Sequence, residues 1–354
     1  MLVPGTGPRF HCGGLNVELQ TARLLSHLIT TEVITYRQKQ ANFLYLADLL
    51  RAETFPGQDE ILWLVSWGFD VPNLLRRLHG RCVAYHAHSS GYGFDLPPGV
   101  PVLAVSRNTL GYWGDRAPHN PLFLVPNALE PQWLQRGARC CKSLDRDIDS
   151  NKVDSRPIDV LVQARKISRY VLNKLVPALK AVGLKVTVQH DWVSDLVELF
   201  NSSTVVLYDS AEYWRSQGIS EGFGLPPLEA LACGCVVFSS LNHALADTID
   251  PGFVGHQIGC GTLSWDLQRI SAAVHNPAAW TIPHAEIEFL LQHHSEAALL
   301  SRWHQVLTAL YSINQHLITS SERSLRRRRY CLLQLEWYRR QLSADRLINH
   351  LRRY

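Results

Sequence analysis

Apolar and polar positions follow two alternating periods along this chain. Short apolar runs rich in β-branched and aromatic residues, at 32–36, 61–66, 81–86, 102–106 and 123–125, read as strands. A second group follows near 159–164, 185–190, 204–209, 235–239 and 256–259. Between runs the period becomes helical, as where Leu15, Leu19, Ala22 and Leu25 fall on one face. Strands alternating with amphipathic helices favour parallel sheets covered on both faces, an α/β architecture. At 354 residues the chain exceeds one ordinary domain of about 100–200 residues. The expected division is 1–135, a polar linker or insertion at 136–157, a second domain at 158–310, and a helical, arginine-rich extension at 311–354. No internal repeat is evident.

A hydrophobic content of 46% against 19% charged residues describes a globular chain able to build cores. No run of about 18 apolar residues would span a bilayer, and 1–5 lacks the charged and apolar regions of a secretion signal. The eight cysteines form no paired Cys-x2-Cys units of zinc spacing, so a reducing cytoplasm is the expected compartment. The net charge of +4 is a tail property: over 322–354 ten arginines face three acids, a net +7, which leaves −3 for the rest. Positions 321–350 read as a helix with Leu325, Leu332, Leu333, Leu335, Leu342 and Leu347 along one stripe. Its block Arg326 to Arg329 suits peripheral contact with an anionic membrane face, each charge contributing roughly 1 kcal/mol. The other reading is a closing helix with its arginines in water. No nucleic-acid motif accompanies the block, so no nucleic-acid partner is expected.

The strongest chemical signal is the turn that Glu221 and Glu229 bracket. Gly222, Phe223, Gly224 and Leu225 lead into Pro226-Pro227, which pre-set the first turn of a short helix, Leu228 to Cys233, that Gly234 ends. Free amides at a helix start attract a diphosphate, and a carboxylate receives the hydroxyls of a vicinal diol, so the arrangement suits a nucleotide-sugar. The bland reading leaves Glu229 favouring the positive end of its helix and Glu221 in a solvated loop.

This Glu-x7-Glu element, running on through Cys233-Gly234 and the apolar stretch 235–240, resembles that of the retaining "group 1" glycosyltransferases of GT-B fold. The resemblance extends weakly to Asn242–Asp247, without the family's turn glycines, and covers about residues 1–300. It implies two Rossmann-like doubly wound domains facing a cleft. Gly13-Gly14 would face the donor phosphates; only three residues precede the loop, implying a shortened first strand or a chain starting further upstream. Gly5-Thr6-Gly7 is not a dinucleotide fingerprint, because Phe10 stands where a third glycine is required. A histidine ending the strand 81–88 would approach the donor sugar: His86 by register, with His88 on the same face as second choice. Either could instead be a satisfied core histidine.

Arg165 and Lys166 end the next strand, where the family places cations for the leaving diphosphate; Tyr170 occupies the position of its lysine, so Lys166, Arg169 or Lys174 must substitute. Two Asp-x-Asp spacings, Asp145 to Asp147 and Asp147 to Asp149, could hold a divalent cation, but their hydrophilic setting lacks the rigid support a metal pair requires. No metal or other cofactor is therefore expected.

The resemblance implies transfer of a hexosyl residue from a nucleoside-diphosphate sugar to a glycan, lipid-linked or protein acceptor, with retention. Arg165, Lys166, Glu221 and His86 would be catalytic. Gly13, Gly14, Gly222, Phe223, Gly224, Leu225, Glu229 and His88 would bind the donor. A degenerate module binding a nucleotide-sugar or glycan, and a sugar-nucleotide epimerase on the same fold, remain open.

Overall fold

The computed structural model describes residues 1–52, 61–138, 156–191, 193–240, 242–249, 252–319 and Trp337. Its first sheet comprises β1 (Leu2–Val3), β2 (Ile34–Thr35), β3 (Leu44–Tyr45), β4 (Leu62–Val65), β5 (Cys82–Ala87), β6 (Val102–Ala104) and β7 (Leu122–Leu124). They lie in the order β3-β2-β1-β4-β5-β6-β7, all parallel. The second comprises β8 (Ile158–Gln163), β9 (Val186–Gln189), β10 (Ser203–Tyr208), β11 (Val236–Ser239) and β12 (His256–Gln257), ordered β12-β11-β10-β8-β9, again all parallel. These are the two doubly wound sheets expected. Two strands lie outside the runs read from the apolar pattern, β1 and β3, each with two residues, too few to show a period.

Strand interiors are continuously apolar because both faces are covered. Along β8, β10 and β11, Leu161, Val206 and Val237 face one way, toward Phe200, Leu228 and Leu231. Their neighbours Val160, Val205 and Val236 face the other, toward Val171, Leu179 and Ile270. The helix Leu225–Ala232 therefore covers one face, and Val176–Ala181 with Leu263–His275 the other. The helix Val176–Ala181 is entered through a wide π turn, Val171–Leu175.

In the first domain, Leu64, Ala84 and Leu103 pack against Leu24 and Leu25 of α1 (Gly13–Leu25) and against Leu299, Trp303, Val306 and Leu310. The helix Glu296–Thr319 thus crosses back from the second domain onto the first sheet. A boundary at residue 310 falls inside that helix, because its apolar stripe is completed by the other domain. The two Asp-x-Asp spacings and the block Arg326 to Arg329 lie outside the described residues. Among the described residues no helix is long and apolar enough to cross a membrane.

Candidate active site

In an open parallel sheet, a crevice forms outside the carboxyl ends of the strands where their order reverses. The second sheet reverses between β8 and β10. From β8 the chain enters Arg165-Lys166, and from β10 it enters Asp209-Ser210. The first sheet reverses between β1 and β4; the loop after β1 leads into α1, and β5 ends at His86 and His88.

Glu221 is buried at the reversal of the second sheet. Its Oε2 accepts hydrogen bonds from the Tyr208 hydroxyl (2.6 Å), the Ser210 hydroxyl (2.9 Å) and the Trp214 indole N–H (2.6 Å). Three donors on one oxygen hold the carboxylate rigidly, and the tyrosine hydroxyl is pushed far up by burial and by Glu221 itself. Tyr208, Ser210 and Trp214 were not singled out from the sequence. They carry no motif, and only the pairing of β10 with β8 and the turn of Ala211–Ser216 bring them together.

Lys166 has φ of +67°, the one left-handed non-glycine residue among those described. Such a backbone costs roughly 1–2 kcal/mol and persists where surroundings over-determine it. Its ammonium lies 4.4 Å from the Trp214 ring centroid, and burial depresses its basicity against the opposing pull of Glu221. Arg165 is exposed. The cation held inside the constellation is therefore Lys166.

Gly224, in the left-handed region at φ +81°, caps the helix Leu225–Ala232, and a β-carbon there would strike Leu245. Phe223 is buried against the second core and meets the ring of His294, so only its backbone remains for a ligand. Glu229 is half-buried on this helix; burial, with nearby Glu130, pushes its carboxyl up to about 8. Gly13 and Gly14 open α1, and a β-carbon on Gly13 would meet nothing within 4 Å.

Across the crevice, Glu18 of α1 receives both histidines: its Oε1 lies 2.7 Å from His86 Nδ1 and 2.5 Å from His88 Nε2. The rings stand 4.3 Å apart, as the shared strand face implies. Burial opposes ionisation of Glu18, but the two imidazoles hold its carboxyl well below the usual range. His86 is only 1% exposed and packs on Trp303, whereas His88 is 17% exposed at the side chain. The favoured histidine is thus sealed behind the other, and His88 is the ring with access to solvent. Glu18 was not foreseen; its signal is an acid between Leu15, Leu19 and Ala22 on an otherwise apolar helix face.

The domains touch where loop 88–91 meets loop 218–222. Ser220 N–H donates to the Ser90 carbonyl, Ser89 donates to the Ser220 carbonyl, and the Ser90 and Ser220 hydroxyls lie 2.7 Å apart. Arg107 binds Asp247 through its backbone N–H (2.6 Å) and Nε (2.7 Å). His294 donates from Nδ1 to the Asn127 carbonyl at 3.1 Å. Two open depressions, about 600 and 520 Å³, flank α1, and neither is lined by Lys166, Glu221 or Glu229.

Two parallel-sheet domains meeting at their carboxyl edges, with charged and glycine-led loops between them, define a GT-B protein. Residues 173–266 match the family model described as "Glycosyl transferases group 1". The match lies within the second domain and spans about a quarter of the chain. No curated protein sequence matches the chain. Among solved structures, sucrose-phosphate synthase from Thermosynechococcus elongatus is similar, with TM-score 0.58, 16% identity, and 85% of this chain and 94% of that one covered. A glycosyltransferase from Rickettsia africae gives 0.57 and 13%, over 90% and 98%. HepE from Anabaena, solved with UDP-glucose, gives 0.56 and 13%, over 87% and 98%. At such identities these likenesses speak for the fold.

Proposed function

We propose that this glycosyltransferase moves a hexosyl residue from a nucleoside-diphosphate sugar to a glycan, lipid-linked or protein acceptor, with retention and without a metal on the diphosphate. One observation carries the reading: Lys166, in a strained backbone, and Glu221, fixed by three donors, converge on Trp214 at the strand-order reversal, beside the turn where Gly222 meets the His88 carbonyl. Oxocarbenium-like transfer builds negative charge on the departing diphosphate, which Lys166, Arg165 and the backbone amides of Gly222, Gly224 and Leu225 would stabilise. Gly13 and Gly14 supply room beside the amides of α1, since no protein atom fills the space a side chain would take at Gly13. Glu221 would orient sugar hydroxyls through Oε1, and Glu229 the ribose diol. His88 would approach the sugar, and His86 would act through the Glu18 contact.

HepE was solved with UDP-glucose, so UDP-glucose is the first donor to try. The test is release of UDP, with and without EDTA, followed by NMR assignment of the product anomer. Release that persists in EDTA and an α-linked product support the reading. Binding of the donor with no release would favour a degenerate binding module, and conversion to free UDP with an altered sugar would favour the epimerase.

A further inference from the structure

The cluster on α1 and β5 has a property that hydrogen bonding alone does not account for. One carboxylate oxygen of Glu18 serves two imidazoles, while its Oε2 and His86 Nε2 are both buried with no hydrogen-bond partner among the described residues. Leaving a buried acceptor unsatisfied costs about 1–3 kcal/mol, more for a charged group. The orphaned carboxylate oxygen, in a cluster of three ligand-bearing side chains, marks a place where something else belongs.

We propose that Glu18, His86 and His88 bind a single zinc ion. Their ligand atoms, a carboxylate oxygen, Nδ1 and Nε2, already lie within 4.8 Å of one another. Tetrahedral zinc with bonds of about 2.0–2.1 Å sets its ligand atoms about 3.3 Å apart, so displacements under about 1 Å suffice. Two imidazoles and one carboxylate form a ligand set that suits zinc, and Mg²⁺ and Ca²⁺ prefer oxygen. The ion would draw on both carboxylate oxygens, which removes the Oε2 orphan. With Nδ1 engaged, the His86 proton sits on Nε2 of a ring in T-shaped contact with Trp303 at 5.5 Å. The two imidazole nitrogens and the two carboxylate oxygens then fill the four positions, with the ring of His88 on the solvent side. The ion would tie α1, which opens at Gly13-Gly14, to the strand end whose carbonyl contacts Gly222. It is distinct from a metal on the diphosphate, and it shares His86 and His88 with the donor reading, so that a bound ion would stand between His88 and the sugar.

The test uses the untagged full chain, stripped with chelator and desalted, titrated calorimetrically with ZnCl2 and in parallel with MgCl2. Metal content after desalting and the thermal midpoint are read as well. One zinc per chain is expected, with a raised midpoint for the wild type. His88→Asn and Glu18→Gln should each weaken zinc binding at least tenfold, and exposed His284→Asn should leave it unchanged. His88→Asn carries the test if the buried Glu18→Gln variant does not fold. Zinc uptake that is equal in wild type and His88→Asn, absent from the wild type, or matched by magnesium overturns the proposal. Sugar transfer is not among these readouts, so failure here and failure of the donor reading are separable.

Discussion

The Cα of Gly222 presses so closely on the carbonyl of His88 that a β-carbon there would sit 1.4 Å from the oxygen. A residue of the second-domain turn thus meets the strand end of the first domain with no side chain between them. Glycine at 222 is required by the approach of another backbone. Gly222→Ala must part the two loops, breaking the serine contacts of 89, 90 and 220. A loss of about 1–3 kcal/mol of stability is expected, together with a larger radius of gyration by small-angle scattering. An unchanged radius and thermal midpoint would contradict the contact.

Lys166 separates backbone strain from side-chain function. Lys166→Gly and Lys166→Ala both remove the ammonium beside Glu221 and Trp214, but only glycine adopts φ near +67° freely. The glycine variant should be more stable than the alanine variant by about 1 kcal/mol in urea unfolding. Both should release UDP from UDP-glucose at least tenfold more slowly than wild type.

Glu221→Gln replaces an acceptor of three bonds by an amide with one accepting atom and no charge. Hydrogen bonds to charged groups contribute about 1.5–3 kcal/mol each, so a loss of at least that size is expected in urea unfolding. Tyr208→Phe and Ser210→Ala should each cost less, and their effects should shrink in the Glu221→Gln background.

His294, buried between Phe223 and Asn127, has its imidazole held down to about 4 by burial. Its folded value lies below the unfolded value of 6.5, so between these pH values the unfolded chain binds more protons. The stability it contributes is full above 6.5 and is lost as pH falls toward 4, by roughly 3 kcal/mol. His294→Gln, which keeps a donor for the Asn127 carbonyl, should show a shallower decline in urea unfolding between pH 7 and 4.5.

Glu229 has the opposite sign. Its folded value of about 8 exceeds the ordinary 4.5, so the native chain holds the extra proton and stability falls as pH rises between those limits. Glu229→Gln should match wild type in thermal midpoint at pH 5 and exceed it at pH 8. Under the proposed donor reading it should also bind UDP-glucose more weakly by calorimetry.

Much of the fold was legible along the chain. Runs such as 159–164 and 204–209 became β8 and β10 because a strand buried on both faces must be apolar throughout. The helix after Gly224 was legible from the glycine and the two prolines, which are local signals, but it begins at Leu225, three residues before the expected Leu228, because both prolines lie inside its first turn. Partnerships were not. Nothing near Glu221 in sequence announces Tyr208, and an i, i+2 spacing does not distinguish the sealed His86 from the accessible His88.

The sequence by itself determined the alternation of strands and helices, the α/β class and the turn that Glu221 and Glu229 bracket, because periodicity and backbone preference act over a few residues. Tertiary structure alone decided which oxygen of Glu221 is occupied, that Glu18 joins two histidines, that Lys166 rather than Arg165 turns inward, and that Gly222 meets His88. Those outcomes depend on distances between segments up to about 130 positions apart, such as Ser90 and Ser220, which only the packing of both sheets brings within reach.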